Sequence, residues 1–247
     1  MYHVVGYYSM VGGVTSAEAT PLQDPILAIA NGHYLPHVQL FFYGGWFGGT
    51  SLNRVVMDTP RARQVVPPTL WPINPTLSPQ NRPNMVDRRQ NPFILSAVEE
   101  VRMLYTVGGT GTVQSIGVMF WGTSIDPIPM GDIYSVHGTS TTSTTANQWT
   151  QLKIDWEQNL PAGTYVVVGS QHQTAGAVAH RMIFRDQVWR PGFLSVESLS
   201  DMTDHGYYYG SWGRLGSFTT YTFPQIEVWT NIVSAAHDVT LNIIRTM

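Results

Sequence analysis

The chain has 247 residues, which is enough for one large all-β domain or two smaller ones. It contains no cysteine, so disulfide bonds and thiolate metal sites are excluded, and its net charge of −3 argues against binding of the whole chain to nucleic acid or a membrane surface. Charged residues are 12% of the chain, roughly half of the ~25% that is usual. So little charge indicates that other subunits cover much of the surface; the alternative is a neutral surface rich in Thr, Ser and Asn.

The sequence carries no signal for secretion or membrane insertion. The first residues, MYHVVGYYSMVGG, lack a basic segment followed by a long apolar one. No apolar run approaches the ~18 residues that a membrane-spanning helix needs, and no asparagine has the context of a glycosylation site. We therefore expect a protein that is made and used without secretion and that has no membrane span.

The chain begins with extended segments. Residues 1–35 are predicted to form an N-terminal arm, in which residues 26–30 are either one helical turn or a strand. Residues 37–43 are predicted to be a strand. Four glycines then surround Trp46 and Phe47, which predicts a break in the strand, either a tight loop under an aromatic lid or a flexible contact point.

Residues 53–92 form the longest stretch without convincing strands. Eight prolines and half of the arginines lie here. A connection of this length is far above the usual ~4–6 residues, so we interpret it as an excursion with a purpose or as a linker. Trp71 belongs to the segment LWPI, which is too apolar for a free linker and is predicted to lie on a neighbouring surface.

The arginines of this excursion are candidates for contact with another subunit or with the phosphates of a genome. The alternative is that they form local salt bridges and carbonyl contacts in an ordered loop. The candidates are Arg54, Arg61, Arg63, Arg82, Arg88 and Arg89.

Regular apolar patterns resume after the excursion. Residues 93–107 and 113–121 are predicted to pair across a glycine-rich turn. Residues 160–184, LPAGTYVVVGSQHQTAGAVAHRMIF, are predicted to be a central hairpin, whose first strand is apolar on both faces and therefore covered on both sides. The pattern predicts eight strands, at residues 37–43, 93–107, 113–121, 149–157, 164–170, 177–184, 225–232 and 239–245.

Eight antiparallel strands with long connections at a few places fit a jelly roll, in which two four-stranded sheets pack face to face. We predict an all-β fold, an antiparallel β-sandwich of the jelly-roll type with about eight strands and long loop insertions. Residues 36–247 are predicted to form this single domain. The insertions are expected to carry contacts rather than the fold.

The sequence contains no recognisable catalytic or cofactor-binding motif. The motifs of zinc proteases, of serine hydrolases, of phosphate loops and of dinucleotide binding are all missing. His172 and His180 flank the turn of the central hairpin, and histidines in strands of unknown register are more often polar surface or hydrogen-bonded residues than metal ligands. We predict that the protein is not an enzyme and uses no cofactor or metal.

Six aromatic residues lie in glycine-rich segments, where their rings are either exposed or used as plugs. Exposed rings stack on sugars, which makes a carbohydrate-binding sandwich the alternative function. We favour rings that plug the ends of the sandwich or are buried at subunit contacts. The six residues are Trp46, Phe47, Tyr207, Tyr208, Tyr209 and Trp212.

The layout of the chain resembles that of the viral jelly-roll capsid proteins of icosahedral bacterial and archaeal viruses. The resemblance lies in the N-terminal arm, the excursion at residues 53–92, the segment LPAGTYVVVG and the closing strands PQIEVWTNI and VTLNIIRT, and it extends over most of the chain. It implies a structural subunit of the virion that is assembled in the host cytoplasm, with copies of itself and other capsid proteins as partners. Contact with the genome through the arginine-rich loop would follow.

We therefore expect a shell subunit whose function is assembly, with low surface charge and aromatic loops at subunit contacts. In this hypothesis Arg61, Arg63, Arg88 and Arg89 anchor the excursion to a neighbouring subunit or to the genome.

Overall fold

The computed structural model of the protein describes residues 1–12, 16–18, 28–29, 32–34, 38–60, 69–70, 77, 79, 85–107, 112–197 and 211–246. The chain divides into two compact units. The N-terminal unit comprises Val5–Leu77 and Pro83–Thr123, and the C-terminal unit comprises Met1–Val4, Ser78–Arg82 and Ser124–Met247. All twenty elements that the structure describes are β-strands.

Eleven strands belong to the first half of the chain. They are β1 (Tyr2–Gly12), β2 (Ser16–Glu18), β3 (Ala28–Ile29), β4 (Gly32–Tyr34), β5 (Leu40–Gly49), β6 (Leu52–Asp58), β7 (Thr69–Leu70), β8 (Met85–Asp87), β9 (Phe93–Leu95), β10 (Glu100–Val107) and β11 (Thr112–Gly122). One sheet has the order β1-β11-β5-β8, with β9 also paired to β5. The other has the order β3-β4-β10-β6-β7, with β2 also paired to β10.

Nine strands belong to the C-terminal unit. They are β12 (Ile133–Ser140), β13 (Trp149–Leu152), β14 (Asp155–Trp156), β15 (Thr164–Gln173), β16 (Ala177–Ile183), β17 (Gly192–Leu194), β18 (Gly216–Thr219), β19 (Gln225–Thr230) and β20 (His237–Arg245). One sheet has the order β14-β12-β20-β15-β18, and the other has the order β13-β19-β16-β17.

Both halves have the same strand order. When eight strands of each are numbered along the chain, leaving out the short additional strands β2, β3, β9 and β14, the two sheets read 1-8-3-6 and 2-7-4-5 in both cases. The strand pairs are antiparallel, as in β5 with β11 and β15 with β20. This is the order of a jelly roll, an eight-stranded sandwich of two Greek keys. The predicted fold class is confirmed. The chain contains this topology twice, whereas the sequence pattern predicts eight strands in one sandwich.

Two predicted strand pairings are wrong. Strands β10 and β11 lie in different sheets, where β10 pairs with β6 and β11 pairs with β5. The strands of the predicted central hairpin also separate, because β15 pairs with β20 and β18 while β16 pairs with β19 and β17. Four residues separate β10 from β11 in the sequence and three separate β15 from β16. Most consecutive strands of a jelly roll cross to the facing sheet, and alternation of apolar residues does not distinguish such a crossing from a hairpin.

The predicted positions of the strands are better than their predicted pairing. At least one observed strand overlaps each of the eight predicted strands. The predicted strand at residues 149–157 divides after Leu152, because β13 and β14 belong to different sheets. Strand β15 is buried along both faces, as its continuous apolar pattern predicts.

Segments predicted to lie outside the sandwich contain strands of it. Residues 1–35, predicted as an arm, begin with the eleven-residue strand β1, in which Val4, Val5 and Tyr7 are buried. The excursion at residues 53–92 contains β7, β8 and most of β6, and Val55 and Met57 of β6 are buried. Strands β7 and β8 are two and three residues long and lie between prolines, which hides them, and β6 runs directly into the proline-rich stretch.

Candidate functional site

Three of the six candidate arginines lie in the described part of the chain. Arg54 is exposed on β6, opposite Thr106 of β10. Arg88 and Arg89 follow β8 and are partly buried. Arg61, Arg63 and Arg82 lie outside the described residues, as does Trp71.

Arg88 and Arg89 make contacts within their own segment. The Arg89 Nη2 atom lies 2.6 Å from Oδ2 of Asp87, and Nε donates to Oδ1 of the same carboxylate at 3.0 Å. Arg88 donates from Nε to the carbonyl of Asn91 at 3.2 Å, and its backbone amide bonds to the carbonyl of Tyr43 at 2.8 Å. These are the local salt bridge and carbonyl contacts of an ordered turn. Binding of another molecule by the arginines stays a prediction.

Trp46 and Phe47 are buried inside the N-terminal unit, so the predicted glycine-rich loop is in fact the second half of β5. The glycines make room for the rings. A Cβ atom on Gly117 of the neighbouring strand β11 would lie 2.4 Å from Cε1 of Phe47, and one on Gly45 would lie 2.6 Å from the carbonyl oxygen of Val118. The glycines therefore permit a large ring inside a strand rather than ending the strand.

Trp212 is also buried. Its ring packs against Tyr2, with ring centroids 4.9 Å apart, and against Phe193 at 6.2 Å. It fills the interior of the C-terminal unit and is not an exposed loop contact. Tyr207, Tyr208 and Tyr209 lie outside the described residues.

An exposed group of apolar side chains leads into β12, and sequence reasoning missed it. We call Ile128, Met130, Ile133 and Tyr134 the apolar strip. Met130 is fully exposed, Tyr134 is 51% exposed, and Ile128 and Ile133 are 36% and 39% exposed. The available signal is the sequence PIPMGDIY, in which two prolines and two large apolar residues precede the single charge of Asp132, although the segment is too short for a core strand.

A cavity of about 370 Å³ opens beside the apolar strip. Its walls include Pro127, Ile128 and Val166, and among the described residues that line it Arg214 is the charged one. The Arg214 guanidinium donates to Oγ of Ser217 at 3.2 Å. Ile128 belongs to both the strip and the cavity wall, so the exposed apolar surface continues into the cavity.

The C-terminal unit also contains a buried group of three histidines linked through serines. We call it the histidine network. At one end, Ser170 Oγ lies 2.8 Å from His180 Nε2, and His180 Nδ1 lies 3.1 Å from Ser195 Oγ. Ser195 Oγ in turn lies 2.8 Å from His172 Nδ1. At the other end, His172 Nε2 lies 3.1 Å from His237 Nδ1, and His237 Nε2 lies 3.0 Å from the Thr142 carbonyl.

Burial keeps these imidazoles neutral. It lowers the pKa of His180 to about 3. Burial also lowers the pKa of His172 well below its usual value, and the charges of His180 and His237 act in the same direction. The pKa of His237 is lowered by burial, against the opposing effects of its backbone hydrogen bonds and of Asp238.

The histidine network does not have the geometry of an enzyme site. Ser195 and His172 are placed like a nucleophile and its base, but both are completely buried, so no substrate reaches them. Among the residues that the structure describes, no group of three or more potential ligand side chains is arranged to hold a metal ion. In the same residues, no helix has the length and apolar character needed to cross a membrane.

The sequence matches no protein-family model and no curated protein. Among solved structures, the crystal structure of the major capsid protein P2 from bacteriophage PM2 is similar, with 8% sequence identity and a TM-score of 0.26 over 100% of this chain and 98% of that chain. A likeness at this level carries no argument. The jelly-roll assignment rests on the strand order of the chain itself.

Proposed function

We propose that this chain is a structural subunit of a viral capsid, which assembles with copies of itself and with other capsid proteins into an icosahedral shell around a genome. The subunit acts in the virion and is assembled in the cytoplasm of the host cell. The observation that carries the proposal is the repeated strand order 1-8-3-6 and 2-7-4-5, because jelly rolls of this kind are the building units of many viral shells. The strands that the structure describes belong to the sheets of these two sandwiches.

The surface of the C-terminal unit supports a role in association. The chain has a low fraction of charged residues, and the apolar strip places Met130 and Tyr134 in solvent beside an apolar cavity. Exposed methionine and aromatic side chains are enriched at the centres of protein interfaces, and contiguous apolar surface is uncommon on proteins that stay monomeric. We propose that the strip is a contact between subunits.

The carbohydrate-binding alternative loses part of its support. It needs aromatic rings exposed as platforms for sugars. Trp46, Phe47 and Trp212 are buried, and they are three of the six rings on which the alternative depends. We therefore propose assembly as the function.

The proposal is tested by the mass of the purified protein, measured by light scattering on a sizing column and examined by negative-stain microscopy. We expect oligomers or shells, whose amounts change with salt where charged contacts contribute. A protein that stays monomeric across salt and protein concentration would contradict the proposal, and a glycan array would then test the alternative.

The contact surface is tested separately with Met130→Glu and Tyr134→Glu. Each places a charge on the apolar strip, and both side chains are exposed, so folding should not change while assembly is reduced. The matched control is Val188→Glu, which charges another exposed apolar residue of the same unit. Wild-type protein that assembles together with strip variants that assemble equally well would reject the strip while leaving the capsid proposal in place.

A further inference from the structure

The histidine network joins the two sheets of the C-terminal unit. Ser170 and His172 lie on β15 and His237 lies on β20, both in the five-stranded sheet. His180 lies on β16 of the facing sheet, and Ser195 follows β17 of that sheet, with its amide bonded to the Val178 carbonyl. The bonds from Ser170 to His180 and from Ser195 to His172 therefore connect one sheet to the other through the interior.

The last acceptor fixes the direction of every hydrogen bond when the imidazoles are neutral. The Thr142 carbonyl can only accept, so Nε2 of His237 donates and its Nδ1 must accept from Nε2 of His172. Nδ1 of His172 then accepts from the Ser195 hydroxyl. That hydroxyl accepts in turn from Nδ1 of His180, whose Nε2 accepts from Ser170. One proton arrangement satisfies all five bonds with the three histidines neutral.

The network has room for at most one additional proton. A proton on Nδ1 of His237 can be accommodated if each bond between His237 and Ser170 reverses its direction. A second proton either leaves two donors facing each other between His172 and His237, or makes Nδ1 of His172 and Nδ1 of His180 both donate to the Ser195 oxygen, so that the Ser195 hydroxyl loses its acceptor in the network. A buried donor without an acceptor is costly, and so is a second buried charge.

The surroundings that the structure describes compensate for added positive charge at His237 alone, where backbone hydrogen bonds with Thr142 and Ser234 and the charge of Asp238 oppose the effect of burial on the pKa. From β20, Asp238 acts on His237, but its carboxylate is about half exposed and lies 3.5 Å from Nε2 of His137 on β12. From β17, the Phe193 ring packs against His180, with centroids 6.1 Å apart. In the described part of the chain, Asp238 is the carboxylate that acts on the cluster, besides the histidines themselves.

We propose that the histidine network is an acid-sensitive lock, which holds the two sheets of the C-terminal unit together at neutral pH and releases them when the surroundings become acidic. The proposal concerns the folded chain and goes beyond its assembly. In the unfolded chain all three histidines take up protons below about pH 6.5, whereas the folded network accepts at most one. The unfolded state thus binds more protons in acid, so the stabilisation is complete above about pH 6.5 and is lost as the pH falls from there towards the lowered folded pKa values.

The first test is the pH dependence of unfolding of the full chain by urea. Each histidine that is protonated only in the unfolded state raises the unfolding equilibrium constant about 30-fold between about pH 7.5 and about pH 5. At least two such histidines give an increase on the order of 1000-fold. Carboxylates also titrate in this range, so the contribution of the network is isolated with a variant.

The double variant Ser170→Ala with His180→Leu removes one end of the network without leaving an unpaired donor on His172. We expect its acid-induced loss of stability to be about 30-fold smaller than that of wild type. The control His137→Gln removes a partly exposed histidine of the same unit that lies outside the network and should leave the loss at least as large. Equal pH dependence in wild type and the double variant would overturn the proposal.

Histidine ring signals in nuclear magnetic resonance spectra of the wild-type protein give a second test that depends on no variant. We expect the rings of His172 and His180 to remain neutral between about pH 7.5 and about pH 5. Titration of both buried rings near about pH 6.5 in the folded protein would overturn the lock.

Discussion

The two jelly rolls share one strand order and both bury large aromatic rings, but the C-terminal one also buries a network of histidines. In the N-terminal unit, the Phe47 ring occupies space that Gly117 leaves open on the neighbouring strand, and Trp46 is buried on the same strand as Phe47. In the C-terminal unit, buried side chains include the histidine network and the cation of Arg181. Strand order determines which residues face each other, but it does not determine whether burial of apolar area or satisfied polar contacts hold the sheets together. Burial of apolar area does not depend on pH, whereas hydrogen bonds between titratable side chains do.

The largest effect is expected for Trp46→Ala. The side chain is completely buried, and removal of a buried tryptophan costs about 3–5 kcal/mol of unfolding free energy. Circular dichroism during urea unfolding measures the change, which should be the same at neutral and acidic pH. Tyr221→Ala, at a residue that is 88% exposed, is the control. A loss below about 1 kcal/mol would show that Trp46 is a surface contact instead.

A loss of about 3 kcal/mol is expected for Glu227→Gln in the C-terminal unit. Oε2 of Glu227 lies 2.6 Å from Nε of the buried Arg181 and 3.1 Å from Nη1 of Arg190, so the neutral amide leaves a buried guanidinium uncompensated. Arg181 also stacks over the Trp149 ring at 4.2 Å. The combination of Arg181→Met with Glu227→Leu should restore part of the stability, because the fully buried guanidinium is then removed and the less buried Arg190 is the cation that has lost its partner. Failure of the combined variant to recover would contradict this account.

A smaller loss, about 1–3 kcal/mol, is expected for Gly117→Ala. The added Cβ atom would overlap the Phe47 ring, which lies inside a packed strand pair and has little room to move. Thermal unfolding measures the change. Combining it with Phe47→Leu should reduce the cost of the alanine, whereas additive effects would show that the two positions do not interact.

The smallest effect is expected for Arg89→Ala. Its pair with Asp87 lies at the surface with both side chains partly exposed, and surface pairs contribute about 0.2–1 kcal/mol. Stability and assembly are measured together on Arg88→Ala with Arg89→Ala and, for comparison, on Arg61→Ala with Arg63→Ala. If the excursion anchors the subunit to a neighbour or to the genome, the second pair reduces assembly without reducing stability. Normal particles from both pairs would reject the anchoring role.

Much of the fold is readable from local pattern. The alternation of apolar residues places a strand in each of the eight predicted regions and correctly indicates that β15 is covered on both faces. Pairing is not readable in this way, because the same turn serves a hairpin and a crossing between sheets. Half of the sixteen described jelly-roll strands lie outside the predicted regions, namely β1, β4, β6, β7, β8, β12, β17 and β18. Of these, β1 precedes a polar segment, and β6 runs into the proline-rich one.

The candidate site was less predictable than the fold. Trp46 and Phe47 were expected in a loop because glycines usually end strands, and the opposite holds where a glycine lies beside a large ring. His172 and His180 were visible as polar residues near apolar runs. Their partner His237 is 65 residues from His172 in sequence, and no local pattern reveals that the two rings are hydrogen-bonded in the fold. The apolar strip has no periodicity that separates it from a core strand.

Hydrogen exchange of the full chain at neutral and acidic pH tests whether the two sandwiches, which share one topology, depend on different interactions. The N-terminal unit serves as the control for the C-terminal unit in the same sample. After correction for the intrinsic effect of pH on exchange, we expect β15, β16 and β20 to lose protection at about pH 5 while β5 and β11 keep it. Equal loss of protection in both units, or protection of β15 and β16 that does not change, would contradict the claim.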